Sequence, residues 1–228
     1  MKKHSPANGT IRVGVVQFPG SNCDDDCVDV VRRHFDFEVF KIWYQLTELP
    51  KLNAMIIPGG FSFGDYLRSG ALAAHAPIMR PIKEFANRGG AVLGICNGFQ
   101  ILTESGLLPG ALLQNRNMEF ICRTVHLKSA SNSILSMPIA HGEGRYWIDE
   151  NNLSELEDKS RIAFRYCNEQ GLTNQTANPN GSVANIAGVY SENKKILGMM
   201  PHPERASDCL MGGSSDGLKV LSEFFNRV

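Results

Sequence analysis

The chain has 228 residues with 23 basic and 23 acidic side chains, so its formal net charge is zero. No lysine or arginine run forms a nucleic-acid stripe, no apolar run reaches bilayer length, and Met1 to Thr10 is a polar lead without the apolar block of a signal peptide. Six cysteines spread over this length fit a reducing cytoplasm better than a disulfide scaffold.

Ile11 to Phe18 reads as a strand ending in the turn Pro19-Gly20. Ser21 is then placed to cap a helix whose first turn carries Asp24, Asp25 and Asp26, with Val28, Val31 and Phe35 on its apolar face. Cys23 and Cys27 are taken as ordinary residues of that helix, because no further ligands at metal-site spacing accompany them. Phe37 to Trp43 and Ala54 to Ile57 are the next strands, the latter stopped by Pro58-Gly59-Gly60. A helix is expected from Pro77 to Arg88, with Ile78, Ile82, Phe85 and Ala86 inward.

Ala91 to Ile95 then delivers Cys96 inside Gly94-Ile95-Cys96-Asn97-Gly98, ahead of the helix-like Phe99-Gln100-Ile101-Leu102. A cysteine between glycines, where a strand becomes a helix, has the layout of a nucleophile elbow. Repeated strand, turn and helix units predict an α/β fold, an open and mostly parallel sheet covered on both faces. Ligands then belong at the carboxyl ends of its strands, where Gly60 and Cys96 both fall.

The second half is less regular. Phe120 to Leu127, Leu135 to Ala140, Ile162 to Tyr166 and Val183 to Tyr190 are strand candidates that extend the sheet or form a small accessory one. Lys195 to Met199 returns to the core, and Ser215 to Phe225 closes the chain as a helix burying Leu218, Leu221, Phe224 and Phe225. No linker divides the sequence, so residues 1–228 are expected to form one domain.

Pro201-His202-Pro203-Glu204 offers a base and an acid in a proline-stiffened segment. With Cys96 as nucleophile, His202 as base and Glu204 orienting the imidazole, the chain reads as a cysteine-nucleophile enzyme of acyl chemistry. A zinc reading of His202 and Glu204 lacks a second ligand cluster. The backbone N–H of Phe61, and second that of Asn97, are the expected oxyanion donors. Phosphate-loop signatures are absent around Gly59-Gly60. His141, in His141-Gly142-Glu143-Gly144-Arg145, remains an alternative base, and the roles of Glu143 and of the Asn178 to Ser182 turn stay open.

Taken together, the Cys96 and His202 motifs resemble those of the class I, triad-type glutamine amidotransferases. Gln17 to Asp24, Gly59 to Arg68, His141 to Gly144 and Asn178 to Ser182 further resemble the family of glutaminase subunits of phosphoribosylformylglycinamidine synthase. That resemblance implies a flavodoxin-like fold and a triad of Cys96, His202 and Glu204. It places Gly60, Phe61 and Asn97 around the oxyanion and Gln100 against the substrate, L-glutamine. It also implies ammonia transfer to a larger synthetase subunit that binds ATP and magnesium, a small bridging subunit, and no cofactor or metal in this chain. The family usually has tyrosine where Phe63 stands and cysteine where Ser69 stands. An amidotransferase for another synthetase, a cysteine hydrolase or peptidase of the same fold, and a non-enzymatic relative are the other readings.

Overall fold

In a computed structural model, described over residues 10–209 and 213–228, the predicted parallel sheet is present and longer than expected. Most of the polar lead predicted over residues 1–10 lies outside the described residues. The first half runs β1 (Arg12–Gln17), α1 (Asp24–His34), β2 (Glu38–Trp43), β3 (Ala54–Ile57), α2 (Met79–Asn87), β4 (Ala91–Ile95) and α3 (Asn97–Glu104). The second half adds β5 (Ala111–Leu113), β6 (Ile121–Ser129), β7 (Ile134–His141), β8 (Arg145–Trp147), α4 (Glu150–Asp158), β9 (Ile162–Cys167), β10 (Ile186–Tyr190), β11 (Ile196–Met199) and α5 (Asp216–Phe225). Helices cover both faces, the flavodoxin-like arrangement that the resemblance implies. No helix among the described residues is long and apolar enough to cross a membrane.

Nine strands form one sheet in the order β2-β1-β3-β4-β11-β10-β9-β6-β7. From β2 to β11 every pairing is parallel, and from β11 to β7 every pairing is antiparallel. The residues explain the change. β3, β4 and β11 are buried along their whole length and need cover on both faces, as parallel strands do. In β7 buried Leu135, Met137, Ile139 and His141 alternate with partly exposed residues, the pattern of an antiparallel strand with one wet face. Both alternatives for the second half occur, since β5 and β8 pair as a separate two-stranded sheet.

Three local expectations change. Ser21 does not cap α1, whose N-cap is Cys23. Its hydroxyl instead accepts from Phe18 N–H at 2.8 Å and donates to Phe18 O at 3.0 Å, closing the Pro19-Gly20 turn. The strand expected from Val183 begins at Ile186, because Ala184 adopts φ 48° within a short 3-10 turn. α2 begins at Met79 and leaves Phe85 half-buried. At the other end of the chain, Phe225 of α5 packs edge-on against Phe35 and Phe37 at centroid distances of 5.0 and 5.1 Å. Each such pair contributes about 0.5–1.5 kcal/mol beyond area burial and ties α5 to the β1–β2 end of the sheet.

α3 lies so close to the sheet that a Cβ on Gly98 would sit 1.9 Å from the Ile57 carbonyl oxygen. Gly98→Ala is therefore expected to force β3 and α3 apart and to destabilise by about 1–3 kcal/mol, as overpacked cores do. A thermal melt should show Tm lower by several degrees; an unchanged Tm would contradict the close approach.

Candidate active site

Three strands that are neighbours in the sheet, β3, β4 and β11, end side by side, and each delivers one part of the site. The register pairs Ile57 with Gly94 and Met199 with Ile95, and Cys96 N–H closes the row on Met199 O at 2.8 Å. Beyond β3 come Gly59 and Gly60, beyond β4 comes Cys96, and beyond β11 comes His202.

Cys96 holds φ 49° and ψ −104°, a conformation unfavourable for any residue with a Cβ. The turn persists because its carbonyl already accepts from Phe99 and Gln100 N–H, at 2.9 and 3.2 Å, in the first turn of α3. The sulfur thus sits at the N-terminus of α3. It is 5% exposed and lies 3.6 Å from the Ala140 carbonyl of β7.

His202 is held through its own backbone, whose N–H donates to Pro138 O of β7 at 2.9 Å. Pro203 then opens a short 3-10 turn, Pro203–Ala206, that folds Glu204 back onto the imidazole. Nδ1–H of His202 donates to Glu204 Oε1 at 2.6 Å, with both side chains buried, which leaves Nε2 as the working nitrogen. No described atom partners Nε2 or Glu204 Oε2. Burial pulls His202 toward its neutral form, but the Glu204 carboxylate and then the Cys96 and Cys23 sulfurs outweigh it and hold its pKa well above the ordinary imidazole value. The site therefore favours an imidazolium beside the Cys96 sulfur.

The loop after β3 differs from expectation in one respect. Phe61 N–H donates to Gly20 O at 2.9 Å, so that amide is already committed. The N–H groups of Gly60 and Asn97 donate to no described atom. Gly60 has φ 137°, and a Cβ there would lie 2.7 Å from Asn22 N, so this position requires glycine. Gly59 is equally constrained, since its Cβ would meet His202 Cε1 at 2.7 Å. The Asn97 side chain accepts from Ser62 N–H at 3.2 Å and donates to Gln100 Oε1 at 2.9 Å. Gln100 in turn donates to Glu143 O at 2.6 Å, so both ends of its buried amide are used within the protein. Glu143 Oε2 accepts from Ser69 N–H at 3.1 Å, linking the loop to the segment after β7. Phe63 packs its ring against Tyr44 and Phe18.

His141 is close to the triad but differently equipped. Its Nδ1 faces Asn115 Oδ1 at 3.0 Å, and Asn115 Nδ2 donates to the carbonyls of Glu119 and His141, so the amide orientation is fixed and Nδ1 must carry the proton. Burial first, then the nearby His202, lower its pKa to about 4. At neutral pH it is an uncharged ring with no carboxylate partner. Asn180 Nδ2 donates to Gly144 O at 2.7 Å, so the Asn178 to Ser182 turn buttresses the segment that follows His141.

Sequence reasoning missed three groups at the site. Cys23 is buried, and its sulfur lies with a His202 nitrogen and a Glu204 oxygen inside a cluster no wider than 4.8 Å. Arg205 Nη2 donates to that sulfur at 3.0 Å, and this charge opposes a cation there. Tyr166, fully buried with an unpartnered hydroxyl, has its pKa raised by burial and then by Cys96. Asp65 is also raised, mainly by burial, and accepts from Asn97 Nδ2 at 3.3 Å. The three come from the start of α1, from β9 and from the loop after β3, far apart in the sequence. Cys23 alone had a local signal, its position immediately before the acidic helix start.

The same sequence has clear relatives. Residues 10–214 match the CobB/CobQ-like glutamine amidotransferase domain. Phosphoribosylformylglycinamidine synthase subunit PurQ of Trichormus variabilis is 49% identical over 96% of this chain and 98% of its own. That of Aquifex aeolicus is also 49% identical, over 92% and 97%. A chain in the structure of PurLQS from Thermotoga maritima superposes with a TM-score of 0.82 at 40% identity, covering 96% of this chain and 99% of that one. The chain belongs to the CobB/CobQ-like glutamine amidotransferases and, within them, to the PurQ family of phosphoribosylformylglycinamidine synthase subunits.

Proposed function

We propose that Cys96, His202 and Glu204 are the catalytic triad of a glutaminase that supplies ammonia to a phosphoribosylformylglycinamidine synthase in purine biosynthesis. The observation that carries this reading is the buried imidazole locked by Glu204 at 2.6 Å, its Nε2 left open beside the Cys96 thiol. Residues 1–228 act as one amidotransferase domain working with a larger synthetase subunit, which takes ATP and magnesium, and a small bridging subunit. The cytoplasm suits six free thiols.

The Cys96 thiolate attacks the side-chain amide carbon of L-glutamine, and the carbonyl oxygen takes the negative charge. The open amides of Gly60 and Asn97 receive that oxygen, in place of the committed amide of Phe61. His202 gives its Nε2 proton to the departing nitrogen, releasing ammonia and leaving a glutamyl thioester. Neutral His202 then takes a proton from water, whose oxygen attacks the thioester carbon; the C–S bond breaks, glutamate leaves, and the Cys96 thiolate reforms beside the His202 imidazolium. Gln100 shapes the glutamine pocket through its bonds to Asn97 and Glu143.

With the synthetase partners present, Cys96→Ala should abolish glutamine-dependent synthesis and spare synthesis from added ammonia. Persistent glutamine hydrolysis would reject Cys96 as nucleophile.

Replacing His202 with Ala should slow thioester formation by about 10²–10⁴-fold, the range of positioned proton transfer. His141→Ala should cost far less, because a ring titrating near 4 is a poor base and acid at neutral pH. Covalent labelling of Cys96 by a glutamine analogue measures both. A larger loss in His141→Ala would reverse the assignment.

Gly60→Ala strains the backbone at φ 137° and shifts its amide. Loss of one oxyanion donor lowers kcat by about 10²–10³-fold with less effect on glutamine affinity. Ammonia-dependent synthesis in the same complex reports assembly. A fully assembled variant with unchanged kcat would remove Gly60 from the oxyanion site.

A further inference from the structure

We propose that Cys23 is a positioning residue of the triad: its sulfur, fastened by Arg205, braces the His202 imidazole so that Nε2 stays on the Cys96 side. The inference rests on the reading of Cys96 and His202 as nucleophile and base, and it deepens that reading by giving the triad a fourth member outside the relayed proton path.

Cys23 is held at three points, its sulfur, its N–H and its carbonyl. Arg205 Nη2 donates to the sulfur at 3.0 Å, and the same guanidinium lies 3.8 Å from Asp26 Oδ2 in the first turn of α1. Cys23 N–H reaches Gly59 O at 3.4 Å, and its carbonyl accepts from Cys27 N–H at 3.1 Å. Cys23 therefore sits where the start of α1, the glycine loop after β3 and the turn carrying Glu204 meet. The absence of a Cβ at Gly59 makes this junction possible, since one would stand 3.2 Å from the sulfur and 2.7 Å from His202 Cε1. Sulfur and imidazole share the space over a single glycine.

Packing alone does not explain this arrangement. Cys27, four residues later, shows what a core thiol looks like: fully buried, with burial driving its pKa well up. Cys23 is equally buried but receives a charged donor. A bonded guanidinium gives the sulfur the character of an acceptor, and an acceptor within 4.8 Å of the His202 ring favours the imidazolium. Arg205 follows Glu204 directly, so one short turn supplies both the carboxylate that holds Nδ1 and the cation that holds the brace. Serine retains an acceptor at this position, whereas alanine retains none.

The test uses the complete complex with its synthetase partners. Cys96 is labelled with 6-diazo-5-oxo-L-norleucine from about pH 5.5 to about pH 10 in wild type, Cys23→Ala and Cys23→Ser, with synthesis from added ammonia as the assembly control. Cys23→Ala should label about tenfold or more slowly, and the alkaline limb of its profile should move to lower pH, because a support of the imidazolium is gone. Cys23→Ser should recover most of the rate and return the limb toward wild type. Cys23→Ala with wild-type rate and profile would overturn the proposal. So would equal losses in both variants with an unshifted limb, which would mark Cys23 as packing only. Failure of wild-type Cys96 to label at all would overturn the nucleophile assignment itself, and the role of Cys23 with it.

Discussion

The site depends on one constraint: β3, β4 and β11 must end at the same level. Parallel pairing in register makes the last residues of three strands neighbours, although some 140 positions separate the first from the last along the chain. Gly60, Cys96, Asn97 and His202 are attached within three residues of those ends, and Glu204 within five. The tightness of the α3–β3 contact is part of the same constraint, because a looser helix would let the strained Cys96 backbone relax. The conformation is over-determined by its surroundings, which is how an unfavourable φ persists in a folded protein.

Two buried imidazoles share this space and behave oppositely. His202 faces a carboxylate and two sulfurs and is held charged. His141 faces a side-chain amide and is held neutral. Environment, rather than residue type, divides the roles. The second histidine also limits the field around the first, since a second cation at that depth would oppose the imidazolium. Removing Glu204 from such a pair leaves a buried charge without compensation, a loss of about 3–5 kcal/mol in comparable cases.

The parallel half was legible because each unit carries its own punctuation. Pro19-Gly20 and Pro58-Gly59-Gly60 mark strand ends, and Ala91-Val92-Leu93 running into Cys96 marks the elbow. The antiparallel half was legible only where alternation is long enough, as in β7. Three-residue β5 and β8 are too short to show a period, and α4 buries only Leu156, so its pattern is nearly all polar. At the site, local motifs singled out Cys96, His202 and Glu204 because proline and glycine frame them, and the structure brings the three together. Of the two amides those motifs nominate for the oxyanion, that of Asn97 is open, whereas that of Phe61 is taken by Gly20, a partner 41 positions earlier that no local pattern announces. Cys23 escaped for the same reason, its company being Arg205 from the far end of the sequence.

The outer side of β7 is also the outer side of the whole sheet. Its Ser136 N–H donates to Asp216 Oδ2 at 2.9 Å, Pro138 has no N–H and gives its carbonyl to His202, and the Ala140 carbonyl faces Cys96. Residues 136, 138 and 140 share one parity, so these contacts close a row that would otherwise template a further strand. The segment carrying His202 and the start of α5 thus seal the sheet edge against self-association. Detachment of the chain from His202 onward would uncover a bare strand edge as His202 leaves the site, which links inactivation of this subunit to its colloidal fate.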